Sequence, residues 1–287
     1  MDNKPQRVRQ DIVNIGARAS RAVKQIGRVS LVGAGPGDVD LLTVKALRII
    51  KTADLIIYDR LVSQEICALF PAATPALYVG KAKSEHSVEQ FKINQLLIEQ
   101  ALMGKNICRL KGGDAFIFGR GGEEMLSIKQ QGIEVDIVPG ITAASGCSTY
   151  AGIPLTHRGV SQGCTFVTAH AESELQINWQ ALASLDHTLV FYMGLSKAAM
   201  ISLALIGAGL DAQTPVALVE RGCSRQQRVI RGDLSELSHL VSQHQLMSPT
   251  LILVGKVVNL ASQLSWFESQ IAQAEHEVES MTARMRA

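Results

Sequence analysis

The sequence predicts an α/β protein with two sheets, mostly parallel in the N-terminal half and mixed in the C-terminal half. Three observations carry that expectation. Short apolar runs bounded by glycine or proline alternate with stretches of helical spacing through the middle of the chain. The first run, VSLVGAG, opens through GAGPGD into a helix-spaced segment, a strand–loop–helix unit of the kind that builds parallel sheets. Towards the other end, runs over 216–220 and 227–231 are separated by a short turn, which calls for an antiparallel hairpin. With 287 residues and 47% hydrophobic side chains, the chain can fill one large or two modest domains.

In chain order, residues 1–27 are polar and basic and read as an N-terminal extension. A strand over 29–35 and a helix over 41–52 follow. The loop between them departs from a dinucleotide fingerprint. Asp38 stands where GxGxxG needs its third glycine, and Pro36 removes a backbone donor that a pyrophosphate would use. A nicotinamide-dependent oxidoreductase is therefore disfavoured. The second strand, 55–59, ends on Asp59, at the edge where open sheets build sites; Asp59 could equally cap the next helix. A third strand over 77–80 leads to Lys81 and Lys83, and a helix spans 88–103. A fourth strand ends near Ile107 and Cys108. A helix over 123–131, a strand over 135–138 and a small-residue helix over 142–150 complete the first half, with the Thr142 hydroxyl as a candidate cap.

The irregular GIPLTHRG, 152–159, reads as the link between domains and sets His157 beside Arg158. His157 is either a hydrogen-bonded structural residue or a catalyst. The second half offers strands at 164–169, 188–193, 216–220, 227–231 and 250–254. Helices are expected at 179–184, 197–206, 234–242 and after Asn259. The domain reading is 28–151, a linker at 152–162, a second domain at 163–267 and a tail at 268–287.

Composition removes several functions. Aromatics at 5% leave few base-stacking platforms, and a net charge of +2 does not suit a general polyanion binder. Nucleic acid is not an expected partner. The cysteines Cys67, Cys108, Cys147, Cys164 and Cys223 are scattered without CxxC spacing, so neither a metal site nor a disulfide framework is expected. They suit a reducing cytoplasm. No apolar run reaches the roughly 18 residues of a membrane span, and the N-terminus lacks a secretory apolar core.

The stretch RLKGGDAFIFGRGGEE carries the functional signal. Gly112, Gly113, Gly119, Gly121 and Gly122 bare the backbone, which lets a ligand approach closely. Asp114 sits among them, and Arg109, Lys111 and Arg120 are expected to surround it with positive charge. Such a loop holds a small polar molecule before a basic wall.

Seven motifs in order, VGAGPGD, YDRLV, VGK, RLKGGDAFIFGRGGEE, VPGITAASG, GIPLTHRG and FYMG, resemble the tetrapyrrole methylases that use S-adenosylmethionine. The resemblance runs over 28–267. It implies a two-domain fold with the active site in the interdomain cleft, and a homodimer. It implies C-methylation of uroporphyrinogen III on rings A and B, giving precorrin-2 on the way to sirohaem, cobalamin or haem d1, with S-adenosylhomocysteine as the other product. Precorrin methylases and the diphthine-forming methylase resemble it less closely. A ligand-sensing module without turnover is the non-enzymatic alternative. No dehydrogenase- or ferrochelatase-like segment is read ahead of the motifs, so the free-standing form of the enzyme is the expected one.

Carried over by motif, the cofactor site would comprise Pro36, Gly112, Gly113, Asp114, Ile117, Thr142, Ala143, Met193 and Gly222. Asp59 matches the family's proton acceptor and Lys81 its donor. Arg109 would place the substrate, and Arg109, Lys111, Arg120, Arg158 and Arg221 are the candidates for its carboxylates. The family's proline after GGD is Ala115 here, which implies a slightly less rigid loop.

Overall fold

A computed structural model describes residues 25–80, 90–169 and 177–267. Its first sheet contains β1 (Arg28–Gly33), β2 (Leu55–Tyr58), β3 (Ala76–Tyr78), β4 (Ile107–Lys111) and β5 (Glu134–Val138), in the spatial order β3-β2-β4-β1-β5. Every pairing in it is parallel. Between the strands run α1 (Val44–Thr52), the single turn α2 (Gln64–Cys67), α3 (Gln90–Leu102) and α4 (Gly121–Lys129). Strand alternation sorts the core into two layers. Leu31, Leu55, Ile57 and Ile107 pack with Ile93 and Leu97 of α3 and Ile128 of α4. Val32, Ile56, Cys108 and Leu110 pack with Ala46 and Ile50 of α1 and Ile66 of α2. Both faces are covered, which is why these strands read as unbroken apolar runs.

The second sheet contains β6 (Gly163–Thr168), β7 (His187–Tyr192), β8 (Pro215–Glu220), β9 (Arg228–Asp233) and β10 (Thr250–Val254), ordered β6-β7-β10-β8-β9. Only β6 with β7 is parallel; the other pairings are antiparallel, including the expected β8–β9 hairpin. One face is covered by α7 (Ala198–Gly207) and α8 (Leu237–Gln243), with Trp179 and Leu182 of α6 (Trp179–Ser184) at its border. The other face receives α5 (Ala143–Tyr150) and the segment leading into α9 (Ala261–Leu264).

The position of α5 departs from the sequence reading, which counted it with the first half. Ala144 and Cys147 of α5, with Ala151 just beyond, share a core with Val190, Ala217, Val219, Leu251 and Leu253 of the second sheet. Small side chains let α5 lie close to this sheet while β5 holds its entry on the first. None of the helices among the described residues is long and apolar enough to cross a membrane.

Candidate functional site

All strands of the first sheet point the same way, so the loops that leave their carboxyl ends gather on one edge. From β1 the chain moves past β4 to β2, and from β4 it moves past β1 to β5. The direction of winding therefore reverses between β1 and β4, the place where open α/β sheets leave a crevice. Both glycine loops end there, and they are stitched together. Gly35 N–H donates to the Gly113 carbonyl at 3.1 Å, and Gly113 N–H donates back to Gly35 at 2.7 Å. The loop after β5 lies against both. A Cβ on Gly140 would come within 2.3 Å of the Gly113 oxygen, and one on Gly33 within 2.5 Å of the Gly140 nitrogen. Three backbones meet at a distance that only glycine allows.

This contact changes the role expected for the bare main chain. The Gly113 amide is spent on Gly35, and the Gly112 amide approaches the Asp59 carboxylate at 3.4 Å. What remains open is the space beside Gly113. Among the described residues, a Cβ there would meet only the Ala143 nitrogen within 4 Å, at 3.7 Å, and the residue sits at φ +68°. Asp114, expected among cations, instead accepts from Phe116 N–H at 2.8 Å and Gly140 N–H at 3.0 Å. It ties the β4 loop to the β5 loop.

The cations turn inward. Arg109 and Lys111 are two residues apart on β4 and share the face of Ile107. Both are buried, 3% and 4% exposed, and both donate to Glu124 of α4. The expected basic wall is therefore not at the cleft surface for these two: burial in a partner's reach, not openness, is what the strand period dictates. Arg120 stands at φ +57° and pairs with Glu123, holding that carboxyl below its ordinary range. Arg158 is exposed, and Arg221 donates to Gln226 at 2.7 Å. Burial, with Arg109 close by, lowers the Lys111 pKa against the opposing pull of Glu124.

Asp59 does not cap α2; Ser63 does. The Asp59 carboxylate accepts from Leu61 N–H at 3.1 Å and stands 3.7 Å from the Arg109 guanidinium, with a quarter of its side chain exposed. Lys81 lies outside the described residues. His157 makes a small backbone bridge with Ser161 in the link and faces the Arg158 carbonyl.

The second sheet closes over this edge through Tyr192. Its hydroxyl accepts from Ala144 N–H at 2.9 Å and contacts the Thr142 hydroxyl at 2.7 Å. Thr142 holds the N-cap position but makes no capping bond itself, because the tyrosine oxygen has taken that place. Burial raises the Tyr192 pKa. The ring also lies against Phe118, with centroids 4.8 Å apart. At the far end of α5, Tyr150 donates to Asp38 at 2.7 Å, and Gln227 donates to the Tyr150 carbonyl at 3.0 Å.

Several residues at these loops adopt a left-handed backbone despite carrying side chains: Phe118, Met193, Arg221 and Cys223. Such strain concentrates where a site must be shaped. Met193 is half exposed beside Tyr192. Gly222 is buried against α5, where a Cβ would meet the Cys147 sulfur at 2.4 Å; Pro36 presses on Gly146 in the same way. Ile117 is half-buried in the β4 loop. Pro36, Gly112, Gly113, Asp114, Thr142, Ala143, Met193 and Gly222 thus belong to one loop cluster drawn from both sheets.

The family model for Tetrapyrrole (Corrin/Porphyrin) Methylases matches residues 28–238. The chain belongs to that family. This methylase is 54% identical over 251 residues to a siroheme synthase of Serratia proteamaculans, covering 88% of the chain and 53% of that relative. It spans about half the length of the curated relatives it matches. Among solved structures it resembles the uroporphyrin III C-methyl transferase of Thermus thermophilus, with TM-score 0.70 and 37% identity over 82% of this chain and 94% of that one. A second structure of the Thermus enzyme, complexed with S-adenyl homocysteine, gives TM-score 0.70 and 38% identity over 81% and 93% of the two chains.

Two residues that shape the methylase's site, one of them behind the loops in α4, escaped the sequence reading. Tyr192 lay inside the motif FYMG, but nothing in the spacing says that its hydroxyl reaches α5. Glu124 lay inside RGGEE; its signal was available, since the β4 period turns Arg109 and Lys111 towards the helix layer and a carboxylate must meet them there.

Proposed function

We propose that this methylase transfers methyl groups from S-adenosylmethionine to carbon atoms of uroporphyrinogen III, at rings A and B, giving precorrin-2 and S-adenosylhomocysteine. The observation that carries the reading is the open space beside Gly113, bordered by Ala143 and set where three glycine backbones meet. A cradle that a Cβ would begin to fill suits a folded, close-lying cofactor. Gly112, Gly113, Asp114 and Ile117 would hold it from the β4 loop, with Pro36 from the β1 loop. Thr142 and Ala143 would hold it at the start of α5, and Met193 and Gly222 from the second sheet. The cofactor supplies a methyl group on a positively charged sulfur. The protein supplies orientation and exclusion of water.

Asp114 in this reading fixes the cradle and does not pair with the sulfonium. The substrate's carboxylates fall to Arg158 and Arg221 and to Arg120 beside its glutamate, not to the buried Arg109 and Lys111. Once a ring carbon has gained a methyl group, a proton must leave the macrocycle. Asp59 is the acceptor we assign, because its side chain is a quarter exposed at the rim and two backbone amides hold its Oδ1, leaving Oδ2 with only the distant Arg109 guanidinium among the described residues. Lys81 is the proposed donor. The resemblance further supports a homodimer in the cytoplasm.

The test is anaerobic incubation with uroporphyrinogen III and isotopically labelled S-adenosylmethionine, followed by mass analysis. Two added methyl groups on neighbouring rings are expected. Uroporphyrinogen III recovered without label, or cofactor bound without any product, overturns the proposal.

A further inference from the structure

Glu124 is the least exposed charged side chain of the site, at 0%. One of its oxygens, Oε1, accepts four donors: Arg109 Nε and Nη2 at 3.3 Å each, Lys111 Nζ at 2.9 Å and Gln90 Nε2 at 3.1 Å. The other, Oε2, is buried without a hydrogen-bond partner among the described residues. A buried carboxylate with an idle oxygen is a poor device for stability, since apolar residues of similar volume fill such a space at lower cost. The arrangement has a direction, however. From Glu124 the charges step outward through Arg109 and Lys111 to Asp59, whose side chain is a quarter exposed.

We infer that Glu124 is the positioning residue for Asp59. It draws the Arg109 guanidinium to 3.3 Å from itself and leaves it 3.7 Å from Asp59, so the rim carboxylate is steadied by Arg109 without being locked to it. The inference rests on the assignment of Asp59 as proton acceptor. Among the described residues, the charged groups facing Asp59 are Arg109 and Lys111 of β4. Behind them stands Glu124 of α4, with Glu123 further out acting on Lys111; α3 contributes the neutral Gln90. Leaving aside the outlying Glu123, which pairs with Arg120, two cations stand against two carboxylates and their charges cancel. Without the Glu124 charge, both cations turn on Asp59, and a carboxylate facing them gives up its readiness to take a proton.

The experiment is Glu124→Gln in the full chain, assayed with uroporphyrinogen III and S-adenosylmethionine. The kcat should fall roughly 10-fold or more. The low-pH limb of kcat should move towards lower pH by about one unit, because a base held as carboxylate by uncompensated cations protonates only in stronger acid. The KM for S-adenosylmethionine should stay within about two-fold, since uniform binding is untouched. Glu124→Asp keeps the charge and should leave the limb in place. In an Asp59→Asn background, Glu124→Gln should lower kcat no further. A normal limb and kcat in Glu124→Gln, or a further loss in the Asp59→Asn background, overturns the inference. If Glu124→Gln does not fold, a shifted limb in Glu124→Asp does the same. A fully active Asp59→Asn variant removes the assignment of Asp59 as acceptor, and the inference with it; a crippled Asp59→Asn beside a normal Glu124→Gln removes the inference alone.

Discussion

Each sheet buries a glutamate that holds a cation, and the two do so in opposite ways. Glu220, at the end of β8, has both oxygens partnered: Arg228 donates to Oε2 and Met247 N–H donates to Oε1. Arg228 stands directly opposite on β9 and keeps almost half of its side chain in water. Among the described residues, Glu124 gives one oxygen to four donors and the other to none, and both of its cations are buried. The first is a cross-strand tie at a sheet end, satisfied and half solvated. The second concentrates charge behind the rim of the site. The difference teaches that the satisfied pair serves the fold, while the unsatisfied cluster is kept for what lies in front of it.

The largest effect that would test this contrast is on stability. Glu124→Ala leaves Arg109 and Lys111 as buried cations with Asp59 as the remaining carboxylate near them among the described residues, and breaking a buried ion pair from one side costs about 3–5 kcal/mol. Glu220→Ala should cost clearly less, because the Arg228 head already reaches solvent. Equilibrium urea unfolding of both variants measures the gap, and equal losses would break the contrast. A triple replacement, Glu124→Leu with Arg109→Leu and Lys111→Met, sharpens it. Stability should return to near the wild-type value, as apolar replacements of buried charge clusters can allow, while activity stays low.

The same pair explains what could be read from the sequence. All ten strands were legible as short apolar runs, most of them covered on both faces or alternating against one; β3 is the exception, exposed along its length. The hairpin was legible from the short turn between β8 and β9. The orientation of Arg109 and Lys111 was not drawn from their motif, because the glycines that follow suggest an open loop. Strand alternation already assigned them to the face of Ile107, which is buried. The place of α5 had no such signal: its small residues pack as readily on one sheet as on the other, and contacts from the second sheet at Tyr192 and Gln227 decide. Lys81 falls outside the described residues.

A smaller effect compares the two ends of α5, which carry the second sheet's grip on the first. Tyr192→Phe removes the oxygen that serves both Thr142 and the Ala144 amide. The loss should be about 1–2 kcal/mol, that of a missing cap with one amide left wanting. If the start of α5 borders the cofactor, this variant should also raise the KM for S-adenosylmethionine, with little change in kcat at saturation. A Gln227→Ala variant, which frees the Tyr150 carbonyl at the other end together with the Cys223 amide, should leave that KM in place. Equal KM changes in the two variants would separate the cradle from the start of α5.

The smallest effect is the pH dependence of the satisfied pair. Burial pushes the Glu220 carboxyl up, but the Arg228 hydrogen bond, the Met247 amide and the Arg228 charge outweigh it, so its pKa lies below the ordinary carboxylate range. A depressed value in the folded state means that the pair's contribution is complete above the unfolded pKa, near ~4.3. It is lost as the pH falls through the folded value, where the folded protein must also take up the proton. Glu220→Gln, which has no such proton to take up, should therefore melt below the wild type at pH 7, and the difference should shrink steadily between about pH 4.5 and the folded pKa. Thermal melts of both proteins in matched buffers measure it. A difference that holds constant into acid would mean that the Glu220 charge adds nothing beyond its shape, and the tie between β8 and β9 would then rest on the backbone ladder alone.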